Sequence, residues 1–305
     1  MTSTTLAPPT KPSRRKKLFI AGGIALAVFI VLLFGASLIA GYGLNVKAFG
    51  RAIVNVIQAV QQQPVVAARQ GEWRDVVFLH HSVGENMIAQ GQVRETFTEA
   101  GYSFWDQDYN WKGLHDPQGN ATGYSYNVPG DNTDPDGLAG IFSQPLFSLP
   151  LNTLSDLMQH DVIAFKSCYP ASAIKSDAQL VEHQAWYLKI RDFMDQHPEK
   201  MFIVVTQPPL NPAETSPDAA SRARSFADWL KSDEFLQGRA NVTTFDLFDQ
   251  LAESDQQAPD ANMLREDYRV GADSHPTQAA NQIVGPQFAR FIVSAVEHYR
   301  QSLGE

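Results

Sequence analysis

The sequence predicts a three-layer α/β/α sandwich with a central, mainly parallel sheet, preceded by one transmembrane helix. Three observations lead there. Four short apolar runs (residues 76–79, 161–166, 201–206 and 242–245) are continuous rather than alternating, as strands buried on both faces are. Stretches with helical spacing separate them, which is the pattern of parallel strands joined by crossover helices. Residues 18–41 carry no charge and are about as long as a helix that crosses a bilayer.

The N-terminus divides accordingly. Residues 1–17 end in the basic run Arg14-Arg15-Lys16-Lys17, which the positive-inside rule keeps cytoplasmic. Residues 18–41 read as an uncleaved signal anchor. A cleaved signal peptide would have a shorter apolar core and a small-x-small site, and Gly35 with Ser37 supplies only a weak one. Residues 42–71 have apolar positions at helical spacing (Val46, Phe49, Ile53, Val54, Ile57, Val60) followed by Gln61-Gln62-Gln63-Pro64. They read as a juxtamembrane helix and spacer that stands the domain off the membrane. Residues 72–305 form the remaining domain, which the anchor makes extracytoplasmic.

Composition excludes several classes. A hydrophobic content of 44% and a charged content of 19% describe an ordinary folded chain. A single cysteine, Cys168, rules out a disulfide framework within the chain. The net charge is −9, yet residues 1–41 hold five basic residues and no acid, so the rest is more acidic still. Such a body is a poor nucleic-acid partner, because phosphate binding needs a basic surface.

Along the domain, residues 76–84 run from a strand through His80, His81 and Ser82 to Gly84, and helical spacing over 83–100 follows. A strand ending on a serine ahead of a helix presents a nucleophile at a helix N-terminus; Ser82 as an ordinary N-cap is the alternative. Residues 102–150 read as irregular, with Phe104, Trp105, Tyr109, Trp111, Tyr124 and Tyr126 among Gly, Asn, Asp and Pro. Either they stack on sugar rings or they form a loop's private core. Asp131, Asp134 and Asp136 lack the spacing and terminal Glu of an EF-hand, so no metal is expected. Helices are expected over 151–158, 177–197, 219–231 and 278–301. Parallel strands bind ligands beyond their carboxyl ends, which puts His81-Ser82, Lys166-Ser167 and Gln207-Pro208 on one rim.

A serine nucleophile needs a base and the base an orienting group. Asp273-Ser274-His275-Pro276, at the entry to the last helix, supplies both. Cys168 follows a strand end, and without a histidine nearby in sequence it reads as a buried small residue.

The strand-Ser82-x-Gly84 start, Asn127-Val128-Pro129-Gly130-Asp131 midway and Asp273-Ser274-His275-Pro276 near the end resemble the SGNH hydrolase superfamily of GDSL-like esterases, over roughly residues 75–300. The resemblance implies Ser82, His275 and Asp273 as the catalytic triad, and the backbone N–H groups of Ser82 and Gly130 as the oxyanion hole. His80-His81 stand where the family carries Gly-Asp. The strand end 166–170 lacks the family's third-block Asn, with His81, Asn132, Lys166 or Ser167 as possible substrate or oxyanion contacts. The Asp-x-His spacing resembles the alginate-type O-acetyltransferase branch. The implied function is a membrane-anchored serine esterase with no metal or organic cofactor, acting on small acyl groups of a carbohydrate or another ester. The alternatives are an O-acyltransferase using the same site and a catalytically inactive glycan-binding domain.

Overall fold

Continuous apolar runs become the centre of the sheet because only a strand covered on both faces can hide them. In the computed structural model, residues 14–39, 43, 46–130 and 133–304 are described, and they fall into two compact units divided between Gly50 and Arg51. The first contains α1 (Arg14–Ile39), whose 18-residue segment Gly22–Ile39 has a mean hydropathy of 2.6 and is long and apolar enough to cross a membrane. Helix α2 (Val46–Val66) leads into the second unit. There the order is β1 (Asp75–Leu79), α3 (Ser82–Gln90), α4 (Val93–Glu99), β2 (Ser103–Gln107), β3 (Leu114–His115), α5 (Pro135–Phe142) and α6 (Thr153–Leu157). It continues with β4 (Val162–Lys166), α7 (Asp177–Asp195), β5 (Met201–Val205), α8 (Pro217–Lys231) and α9 (Asp233–Leu236). The chain closes with β6 (Val242–Phe245), α10 (Leu247–Leu251) and α11 (Gln278–Leu303).

The six strands line up as β3-β2-β1-β4-β5-β6, with only the short β3 antiparallel. Strand residues alternate between two cores. Val77, Leu79, Ile163, Phe165, Phe202 and Val204 face α5, α7 and α8, whereas Val76, Phe78, Ala164, Ile203 and Val205 face α3, α4 and α11. This is the predicted sandwich. After β1 the chain builds β2 and β3 on one side, then returns to place β4 on the other. The carboxyl ends of β1 and β4 therefore flank a topological switch point, where open α/β sheets bind ligands.

Two expectations are corrected. Residues 102–150 are not wholly irregular, since Ser103–Gln107 forms β2 and pairs in parallel with Asp75–Leu79. Its buried Asp106 and Gln107 hid the strand in the sequence, and both are satisfied by distant partners described below. The single helix expected over 83–100 breaks at Gly91 and Gln92, the latter left-handed at φ 54°. Here α11 crosses so closely that a Cβ on Gly285 would lie 2.4 Å from the Gly91 carbonyl oxygen, and no side chain fits. Within 42–71, the stretch read as a helix and spacer, residues 61–64 belong to α2, which packs on the domain through buried Ala59 and Val66 and a Gln63–Gln159 hydrogen bond.

Candidate active site

Strand β1 delivers its last residues into the switch-point crevice. His81, in extended conformation, is the N-cap of α3, so Ser82 is the first helical residue rather than the cap. Its N–H belongs to the first turn, where amides have no acceptor within the helix and the dipole is positive. Its hydroxyl is directed elsewhere. Ser82 Oγ lies 2.8 Å from His275 Nε2, and His275 Nδ1 lies 2.7 Å from Asp273 Oδ1. The same carboxylate oxygen accepts the His275 backbone N–H at 3.0 Å. These bonds hold the Asp273 carboxyl below the usual carboxylate range, the His275 side chain contributing most. An Asp-x-His step thus folds both groups onto one turn, and its histidine faces a serine 193 residues earlier in the chain.

A second layer fixes that turn. Asn211, buried in the loop after β5, donates through its side-chain amide to the carbonyls of Gly271 (3.1 Å) and Asp273 (3.0 Å). Its backbone N–H donates to Ser274 Oγ at 2.8 Å, and Ser274 Oγ donates to the Glu214 carboxylate. Tyr169, just beyond β4, packs its ring edge-on to His275, with centroids 5.6 Å apart at 89°. The Tyr169 hydroxyl is buried with no partner among the described residues, and burial raises its pKa. Asn211, Ser274, Glu214 and Tyr169 were not singled out from the sequence. The one local signal for Asn211 is a single amide between Leu210 and Pro212 just beyond β5.

Behind Ser82 lies a buried polar cluster. His80 Nδ1 is 3.0 Å from the His81 carbonyl and Nε2 is 2.9 Å from Asp106 Oδ2. Both ring nitrogens therefore face oxygen atoms. Burial pulls the His80 pKa down to about 4, opposed by the Asp108 carboxylate. Arg94 from α4 pairs with the other oxygen of Asp106 and caps the Phe104 carbonyl. Gly84 packs on His80 so tightly that a Cβ would lie 2.5 Å from the His80 Cβ.

The other expected contacts are distributed unevenly. His81 packs against Tyr109 with ring centroids 4.9 Å apart and the rings tilted by 57°. With Gly130, Thr133, Tyr109 and Trp111 it lines a cleft of about 630 Å³. Lys166 is wholly buried and donates to the Ser167 carbonyl at 3.2 Å, while Ser167 Oγ is held 2.6 Å from Tyr187 OH. Neither side chain is directed to the cleft. Asn132 lies outside the described residues, as does Asp131. Cys168 is buried, as expected. Among the described residues, no cluster of three or more His, Cys, Asp or Glu could hold a metal ion.

The aromatic residues of 102–150 fall into two groups. Phe104, Trp105, Tyr124 and Tyr126 are core residues, whereas Tyr109 and Trp111 stack 6.2 Å apart at 11° along the cleft. Trp111 is 77% exposed, with the Lys112 ammonium 4.9 Å from its ring centroid.

No family model matches the sequence and no curated protein matches it. Solved structures similar in fold include these three. One is a Bacteroides fragilis protein provisionally described as an acylhydrolase, at 14% identity over 78% of this chain and 97% of that one, TM-score 0.46. Another, from Streptococcus pneumoniae, is provisionally described as a platelet activating factor, at 13% identity over 81% and 99%, TM-score 0.43. The third is a GDSL-like lipase of Bacteroides thetaiotaomicron, at 11% identity over 79% and 98%, TM-score 0.44. At such values the functional reading rests on the geometry of the site.

Proposed function

We propose that this chain is a membrane-anchored serine esterase that removes small acyl groups, acetyl foremost, from a carbohydrate ester. The observation that carries this reading is the continuous hydrogen-bonded chain from Ser82 Oγ through His275 to Asp273. Ser82 Oγ attacks the ester carbonyl carbon while its proton passes to His275 Nε2. Asp273 holds the Nδ1 tautomer and stabilises the imidazolium. The Ser82 N–H, helped by the α3 dipole, and the Gly130 N–H receive the tetrahedral oxyanion. His275 then returns the proton to the departing alkoxide, and water repeats the sequence to release the acid. No step draws on a cofactor. The half-buried Tyr109 and exposed Trp111 beside His81 support a sugar ring as the alcohol portion, since a pyranose offers an apolar face to aromatic rings.

Ser82→Ala abolishes hydrolysis of a chromogenic acetyl ester and labelling by a serine-directed phosphonate, without change in fold. Retained turnover removes Ser82 from the mechanism. The inactive glycan-binding reading predicts no phosphonate adduct on the wild type. A transferase would use the same acyl-enzyme but pass the acetyl group to a sugar hydroxyl, and the cleft of about 630 Å³ has room for such an acceptor. Product analysis with donor and acceptor glycans separates hydrolysis from transfer.

A further inference from the structure

Helix α2 is amphipathic in the reverse sense for a helix lying on a water-soluble domain. Such helices turn their apolar stripe inward and their polar face to water. Here Ala59 and Val66 make the buried contacts, Gln63 bonds Gln159, and Gln58 reaches the cleft. The outward arc carries Val54, Val56, Ile57, Val60 and Val65, each between 39% and 63% exposed. Aliphatic side chains grouped on one outer helical face mark a contact surface.

Two features identify what covers it. The membrane-length segment ends at Ile39 and α2 begins at Val46. The six residues between them span at most about 25 Å even when fully extended. A membrane-crossing α1 therefore confines the start of α2 to the neighbourhood of the lipid surface. Charge agrees. The first acidic residue of the whole chain is Glu72, and α2 carries Lys47 and Arg51, whereas the domain beyond it is acidic. Basic residues without acids on an amphipathic helix are the composition of an interfacial membrane helix.

We propose that the outward face of α2 rests in the headgroup–acyl boundary of the bilayer, so that the cleft Gln58 helps to line opens at the membrane surface. Given the esterase reading, on which this second half rests, the substrate is an ester carried by a membrane-associated molecule rather than one diffusing freely. The helix is then a docking surface for the catalytic domain, not a spacer.

The test uses the full chain in nanodiscs of phosphatidylcholine and phosphatidylglycerol. Nitroxide labels are placed at Ile57→Cys or Val60→Cys, with Val181→Cys on α7 as the aqueous control; native Cys168 is buried. Labels at 57 and 60 are expected to meet dissolved oxygen more than a water-soluble nickel chelate, and the label at 181 the reverse. Labels at 57 and 60 that behave like 181 overturn the docking. So do labels that couple between two chains while excluded from lipid, which would assign the face to a second copy. In a separate arm, the combined Val54→Ser, Ile57→Ser and Val60→Ser variant is expected to keep turnover of a water-soluble acetyl ester. It should lose about tenfold or more on the same acetyl group borne by a vesicle lipid, as lipid binding scales with buried apolar area. Equal loss on both substrates, or none on either, overturns the substrate half. A wild type inactive on both counts against the esterase reading and that half with it, while the labels still decide the docking.

Discussion

The Nδ1 of His80 and the carbonyl oxygen of His81 are 3.0 Å apart, and that oxygen also accepts the Glu85 N–H at 2.9 Å. Two donors on one carbonyl fix the plane of the His81–Ser82 peptide, and hence the direction of the Ser82 N–H. His80→Ala should lower kcat for an acetyl ester by about 10- to 100-fold with little change in KM, a range typical of small misplacements at a reacting centre. His80→Asn, whose amide occupies the place of Nδ1, should recover most of it. Equal losses in both variants would show that the carbonyl contact is not what matters. Gly84→Ala should destabilise by about 1–3 kcal/mol, read from chemical denaturation, because its methyl group collides with His80.

Asn211 holds the turn that carries His275 by donating to carbonyls 60 and 62 residues away. Asn211→Ala leaves both carbonyls short of a donor and frees the Asp273–His275 turn. Turnover should fall while KM stays near its wild-type value, and phosphonate labelling of Ser82 should slow in parallel. A drop in thermal stability without any kinetic change would reduce Asn211 to a packing role.

Asp156 is buried in α6 and accepts the Tyr124 hydroxyl at 2.5 Å. Burial raises its pKa well above 3.8, and the Tyr124 hydrogen bond only partly opposes this. The native state therefore retains a proton that the unfolded chain releases, so this group's contribution to stability is fully present below about pH 4 and is lost as pH rises through the folded value. Asp156→Asn keeps an acceptor for Tyr124 without a charge to desolvate. Its melting temperature should exceed that of the wild type, and by more at pH 8 than at pH 5. A pH-independent difference would refute the assignment.

Trp111 contributes an exposed ring to the cleft but no hydrogen bond to the triad. Trp111→Ala should leave turnover of a small acetyl ester unchanged and raise KM for an acetylated oligosaccharide about tenfold, given ~1–1.5 kcal/mol for one aromatic stacking contact. The KM ratio between the two substrates reads this directly.

Phenylalanine at Tyr169 preserves the edge contact with His275 and removes a buried hydroxyl that has no described partner. Because an unmade buried hydrogen bond costs about 1–3 kcal/mol, Tyr169→Phe should be at least as stable as the wild type. A lower melting temperature would reveal a partner for the hydroxyl.

The sequence by itself determined the parts whose signal is local. The apolar runs of β1, β4, β5 and β6 stand out because strands covered on both faces need no polar alternation. Ser82 at a strand end and Asp273 two residues before His275 are legible for the same reason, each being a short-range pattern. Tertiary structure decided what depends on partners far along the chain. Strand β2 is hidden by Asp106 and Gln107, which are tolerable in a core only because His80, Arg94 and the Tyr126 N–H reach them. The break at Gly91 exists because Gly285 presses on it, and the clamp by Asn211 joins two loops that the sequence keeps apart. The outward turn of the α2 aliphatics is of the same kind. Helical spacing says that a stripe exists, but only packing decides which way it faces.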